Sequence, residues 1–283
     1  MKADLERADL DRHRRVQRLA YRCAEEVAAG LEPGVTERET TRRMRRWLLA
    51  NGVDDWFHVP FAWFGDRTAF RGFRLPHQFL PTARPLAEGM PYVLDVAPIV
   101  DGYVADIGYS GCLGPNPVWE RLYADLAEYR GFILDLVRRR RRFAEIYDEV
   151  DALATRQGYD NRHQVYPGRV IGHQVGRLTS RLPRVVVARS FGLRTLETIG
   201  RELVKERFEG RSPLWNNARS SDHPPTPGLW AVEPHIGFRT RTPGAVGAKF
   251  EELLVVTEDD AHWLDDDLPH VRRWAAGEVT SRA

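Results

Sequence analysis

Residues 93–108, VLDVAPIVDGYVADIG, constrain this chain more than any other segment. Two apolar, β-prone runs, 92–96 and 99–107, flank Asp101-Gly102, a dipeptide suited to a tight hairpin turn. Each run carries a carboxylate in its interior, Asp95 and Asp106, eleven residues apart. On a hairpin turned at Asp101-Gly102 the two fall at facing positions on neighbouring strands and converge. A carboxylate inside an apolar strand is costly unless it is paired, hydrogen-bonded or bound to metal. Three more residues sit in comparable settings: His173 in IGHQVG, Glu233 in LWAVEPHIG and Glu251 in AKFEELLVV. Singly, each also reads as a strand-end cap or an ion-pair partner. Together, the five form a constellation of metal-ligating residue types delivered on rigid elements.

The rest of the chain supplies the frame. Residues 3–29 read as an amphipathic helix, with Leu5, Leu10, Val16, Leu19, Cys23 and Val27 at spacings near three and four. Thr36 with Glu39 is a capping-box signature for a second helix that ends near Asn51-Gly52. An aromatic, β-prone stretch follows from Trp56 to Phe73. A helical tract covers Val118 to about Gly158, broken near the arginine run 138–142, and strand-like segments return at 229–232 and 250–256. Helices and strands mix without regular βαβ alternation, so the expected class is α+β, in one domain over residues 1–283. Lys+Arg number 42 against Asp+Glu 40, a net charge of +2 that favours neither nucleic acid nor a membrane surface. Two cysteines, Cys23 and Cys112, make no disulfide framework and suit a reducing cytoplasm. No run of about 18 apolar residues occurs.

With these residues in hand, the chain resembles the superfamily of methionine aminopeptidases, Xaa-Pro peptidases (prolidases) and creatinases. That family carries Asp, Asp, His, Glu, Glu in this order, with the same separation between its aspartates. Leu31-Glu32-Pro33-Gly34-Val35-Thr36-Glu37 resembles its N-terminal helix–turn–helix signature, Leu86–Gly89 with Val93–Asp95 its turn into the first ligand strand, and Val255–Glu258 its closing strand. His77, eighteen residues before Asp95, stands where methionine aminopeptidases place a substrate-facing histidine.

The resemblance implies a pita-bread fold, a curved antiparallel sheet with flanking helices. It also implies two divalent ions, Mn, Fe(II) or Co, with Zn compatible. Asp95 would chelate one ion, Asp106 and Glu251 would bridge the two, and His173 and Glu233 would complete the ligand set of the second ion. A metal-bridged hydroxide would attack a peptide or amide C–N bond, with Glu233 moving its proton and His77 donating to the substrate.

The family pattern is broken in several places. Its peptidases carry a histidine at the position of Ser180, seven residues after His173. Lys249 replaces the arginine usual in prolidase-type members, and Gly108-Tyr109-Ser110 replaces a Thr-Arg-Thr-like segment. The interval between His173 and Glu233 is enlarged by a segment at about 180–226, with a helix expected at 193–208. His223 within it is a candidate substitute for the missing catalytic histidine. Trp63 and Phe64, with Lys249 and Ser180, are the candidate substrate-binding residues. His58, His163 and His235 read as structural or solvent-facing, and the arginine run as a solvated face.

Three functions compete. The first is a metallohydrolase acting on a short peptide or a specialised small substrate. The second is a metal-dependent lyase or other non-peptidase enzyme on a small metabolite. The third is a binding module without catalysis, against which the intact ligand set argues. No membrane or nucleic-acid partner is expected, and a homodimer is allowed for.

Overall fold

The structure, a computed structural model, describes residues 7–238 and 245–277. Among them the first helix, α1, runs Arg7–Ala29, and residues 3–6 of the expected helix lie outside the described range. Helix α2 spans Glu37–Ala50; Thr36 Oγ1 accepts from the Glu39 amide at 3.2 Å, while the Glu39 carboxylate pairs with Arg42 and Arg43. The expected 118–158 tract is two helices, α3 (Pro117–Arg138) and α4 (Phe143–Arg156), parted at the arginine run where Arg140 adopts φ 56°. Four of those arginines pair with Asp260, Asp135, Glu145 and Asp222. Helices α5 (Leu193–Glu209) and α6 (Pro269–Ala275) complete the set.

The first sheet holds β1 (Asp55–Phe64), β2 (Met90–Val100), β3 (Tyr103–Val104) and β4 (Ile107–Leu113), extended by β7 (Val186–Val187) and β8 (Phe191–Gly192). Strand β5 (Tyr159–Asn161) pairs with β11 (His235–Phe238), which pairs with β12 (Gly247–Lys249). The third sheet runs β14 (Ala261–Trp263), β13 (Glu252–Val256), β10 (Gly228–Val232), β6 (Gly172–Val175), β9 (Leu214–Trp215). The pairings are antiparallel among the described residues, which makes the chain α+β. The aromatic stretch is strand only to Phe64, because Gly65 at φ 61° turns the backbone into a single helical turn, Gly65–Ala69.

Helices α1 and α2 bury Ala20, Cys23, Ala24, Met44 and Leu48 against β1 and β2. Helices α3 and α4 pack Tyr129, Ile133, Phe143 and Val150 against Trp230 and Leu254 of the third sheet and Phe250 just before β13. A third cluster, including Ala97, Ile99, Ala231 and Leu253, packs the first sheet against the third. The 180–226 segment is tied to both: β8 pairs with β1 at Phe191–His58, β9 pairs with β6, and Thr195 Oγ1 donates to Trp56 O at 3.2 Å.

Candidate metal centre

The hairpin forms as the sequence implies. Asp101 and Gly102 take φ 52° and 85°, Val100 faces Tyr103, and Asp95 faces Gly108. Asp106 lies in the break between β3 and β4, diagonal to Asp95 on one face. From the other sheet, His173 pairs with Ala231 on β10, and Glu233 follows that strand with its amide bonded to Ile171 O at 2.7 Å. Glu251 precedes β13 and bridges to Gly108. Strand alternation sends adjacent Glu252 the opposite way, to Arg130 at 2.7 Å and His270 at 3.0 Å. Two sheets thus bring four buried carboxylates and one imidazole to one point.

Two further side chains stand among them. Lys249 Nζ lies 2.9 Å from Asp95 Oδ2, 3.1 Å from Glu233 Oε2 and 2.7 Å from Glu251 Oε2. His58 Nε2 lies 3.0 Å from Asp95 Oδ1 and 3.1 Å from Asp106 Oδ1. His58 Nδ1 faces Val59 O at 2.8 Å, so both ring nitrogens meet acceptors and the ring is held as imidazolium. His173 Nε2 is 3.3 Å from Asp106 Oδ2, and its Nδ1 is turned toward Gln174 O.

These neighbours divide the carboxylates. Burial would raise Asp95, but Lys249 and His58 outweigh it and hold it below the usual range. Burial of Asp106 is likewise outweighed, by His58 and His173. For Glu233 burial prevails over Lys249, and for Glu251 burial and nearby Asp106 push the carboxyl well above the usual range. Burial opposes the charge on Lys249, yet Asp95 and Glu251 keep its pKa well above that of an ordinary lysine.

The residues suit a divalent cation. Ligand atoms of Asp106, His173 and Glu251 lie within 4.8 Å of one another, and His58, Asp95 and Asp106 form a second such group. Glu251 Oε2 is buried without hydrogen-bond geometry to any donor, its charged neighbour being the Lys249 ammonium at 2.7 Å. An imidazole with carboxylates is a donor set for Mn, Fe(II), Co or Zn. His173 would offer Nε2, with its Nδ1–H fixed toward a carbonyl.

The cluster opens into a cavity of about 1270 Å³ with an aromatic wall that includes Phe57, Phe61, Trp63, Phe79, Tyr166 and Phe191. Phe57 stacks on His173 at 5.1 Å between ring centres and Phe61 on Trp63 at 5.5 Å. Thr198 and Ile199 of α5 also line it, so the 180–226 segment supplies part of the wall.

The structure brings Asp95, Asp106, His173, Glu233, Lys249 and Glu251 together and sets Trp63 in the wall. Other candidates face elsewhere. Phe64 is on the opposite face of β1 from Trp63 and is fully buried in the core beneath α1 and α2. Ser180 Oγ accepts from Leu182 N, a turn contact outside the cavity lining. His223 Nε2 accepts from Ser212 N at 2.9 Å and its ring meets the edge of Phe143, so it fastens the segment's return and cannot replace the missing histidine. His77 is exposed on the turn Pro76–Phe79; Pro76 and Phe79 line the cavity, and His77 does not.

His58 corrects the sequence reading, because it belongs to the cluster. The signal was a histidine in an apolar strand just before Pro60. Register shifts on either side of His58 in the β1–β2 ladder put Phe57, His58, Phe61 and Trp63 all toward the cavity. His163 and His235 are buried and structural: His163 meets Asn161, and His235 Nε2 donates to Thr68 O at 2.6 Å.

A carboxylate–imidazole cluster at the floor of a cavity between antiparallel sheets is a site of the kind that could hold a divalent cation. Residues 11–258 match metallopeptidase family M24, and the chain belongs to that family. It is 24% identical over 272 residues to methionine aminopeptidase A of Synechocystis sp., covering 92% of this chain and 96% of that one. Among solved structures, X-Pro aminopeptidase from Thermotoga maritima superposes with a TM-score of 0.64 at 16% identity, over 94% of this chain and 62% of that one. Methionine aminopeptidase from Rickettsia prowazekii gives 0.59 at 16% identity, over 91% and 96%. The fold is therefore the pita-bread fold, and the chain spans about three fifths of the prolidase-type chains it matches. Among the described residues no helix is long and apolar enough to cross a membrane.

Proposed function

We propose that this chain is a divalent-metal-dependent hydrolase that cleaves a C–N bond in a short peptide or a small amide. The observation that carries the reading is the Asp106–His173–Glu251 cluster, its two carboxylates buried and its ligand atoms within 4.8 Å of one another, set beneath an aromatic-walled cavity. A bound divalent ion would acidify a water molecule and polarise the scissile carbonyl. Asp106, His173 and Glu251 would hold it, with Glu233 beside them. Glu233, whose burial favours the protonated form, is the residue suited to carry a proton between water and the leaving nitrogen. Phe57, Phe61 and Trp63 would seat an apolar or aromatic side chain and exclude water from the cluster.

A second reading is a lyase or other non-peptidase reaction on a small metabolite. Ser180 favours it, because it stands where the peptidases keep a histidine and its side chain is engaged in a turn. We read the chain as one catalytic domain with 180–226 inserted, working in the cytoplasm; the free cysteines, Cys23 buried and Cys112 partly so, suit a reducing compartment. The test is a panel of dipeptides, Xaa-Pro peptides and small amides, offered to protein loaded with Mn, Fe(II) or Co. Metal-dependent amine release that disappears in Glu251→Ala is the expected result. A protein that holds metal and cleaves none of the panel would transfer weight to the second reading.

A further inference from the structure

We infer that the Lys249 ammonium takes the place of one cation in this cluster, so that the chain binds a single divalent ion, on Asp106, His173 and Glu251, in place of the pair that the resemblance implies. The inference rests on the metal-dependent reading above. Three carboxylates from three different chain segments converge on Lys249 Nζ at 2.7–3.1 Å, two of them with hydrogen-bond geometry. That is the convergence a metal ion would otherwise occupy. Asp95, the residue expected to chelate one ion with both oxygens, has Oδ2 on Lys249 and Oδ1 3.0 Å from His58 Nε2. An ion at coordination distance, roughly 2.0–2.2 Å from Asp95, would press directly on the ammonium.

The lysine is built in. Its stem crosses Gly108, where a Cβ would come 2.5 Å from Cε and 3.1 Å from Cγ and Cδ. Its backbone is fixed on both sides by Ser110, whose Oγ donates to Lys249 O at 2.7 Å and accepts from Lys249 N at 3.0 Å. The Tyr166 ring closes over Nζ at 5.2 Å. Gly108, Ser110 and Lys249 are three of the positions at which this chain departs from the family pattern, and in space they form one packed unit. A lysine suits the place where an arginine would not: its compact ammonium has three donors on a flexible stem, whereas a planar guanidinium fork would align along one carboxylate.

The test is metal stoichiometry. Protein stripped with chelator is saturated with Mn(II) and freed of excess ion. Bound Mn per chain is then counted by elemental analysis and its electron paramagnetic resonance spectrum recorded. Wild type should hold one Mn per chain with the hyperfine pattern of an isolated ion. Lys249→Gln should take up a second ion and show exchange coupling between the two. Gly108→Ala, which crowds the stem without removing the charge, should move the stoichiometry the same way if Lys249→Gln does not fold. Two ions in wild type, or a coupled spectrum, would overturn the inference and leave the metal-dependent reading standing. One ion in wild type and in the folded variants alike would deny the lysine its role. No ion at all would fail the metal reading itself and the inference with it.

Discussion

The two sheets contribute unequally to one cluster. The first sheet brings the aspartates together with His58, an imidazolium lodged between them, and both aspartates are held below the usual carboxylate range. The second side brings the glutamates, and with them Lys249, yet Glu233 and Glu251 are raised because burial there outweighs the lysine. The cations beside the aspartates favour their charged form, and burial favours the protonated form of the glutamates. Four carboxylates in one buried cluster are thus made different by the balance between burial and the cations beside each.

The comparison breaks most severely on the glutamate side. Glu251→Ala should abolish retained metal and lower kcat/KM on any substrate found by roughly 10³-fold or more, read by elemental analysis and steady-state kinetics. Lys249→Met should destabilise the metal-free protein by about 3–5 kcal/mol, because it leaves buried carboxylates uncompensated. Much of that loss should return on adding Mn(II), which urea unfolding with and without metal would reveal; a loss that metal leaves untouched would mean the lysine is only a packing element.

On the aspartate side the effect is smaller. His58→Asn should cost about 1–3 kcal/mol, since Lys249 still neutralises Asp95 while Asp106 and Val59 O lose a donor. Thermal unfolding of the metal-free variant measures it, and a cost equal to that of Lys249→Met would erase the asymmetry.

The smallest effect sharpens the contrast between histidines. His163, buried without a charged partner, is pushed down to about 3, opposite to His58. The unfolded chain binds a proton at this histidine near pH 6.5 and the folded chain does not. Its contribution is therefore fully present above about pH 6.5 and is lost as pH falls, at up to ~1.4 kcal/mol per pH unit. His235 and His13 are lowered in the same sense. His163→Gln should flatten, without abolishing, the fall in the urea midpoint between pH 6.5 and 5.

Much of this was legible in the sequence because it depends on local pattern. The hairpin follows from two apolar runs around Asp101-Gly102, α2 from Thr36, and the break between α3 and α4 from the arginine run. Asp95, Asp106, His173, Glu233 and Glu251 stood out as charged or imidazole residues inside apolar strands, a conflict that burial makes expensive. What local pattern does not encode was missed. His58 reaches the aspartates only through the irregular β1–β2 register, and the same alternation turns Phe64 away while Trp63 faces the cavity. The reach of Lys249 depends on the space left by Gly108, far away in the chain. His223 looked available because a histidine beside prolines suggests a loop tip, whereas its ring is spent on Ser212 N.

The most direct test is anomalous diffraction at the manganese edge from crystals of the chelator-stripped, Mn-saturated protein. The account predicts one strong peak within coordination distance of Asp106, His173 and Glu251, with Lys249 Nζ still among Asp95 and Glu233. No peak at the cluster, or a peak bound by His58, Asp95 and Asp106 with the lysine displaced, would contradict it.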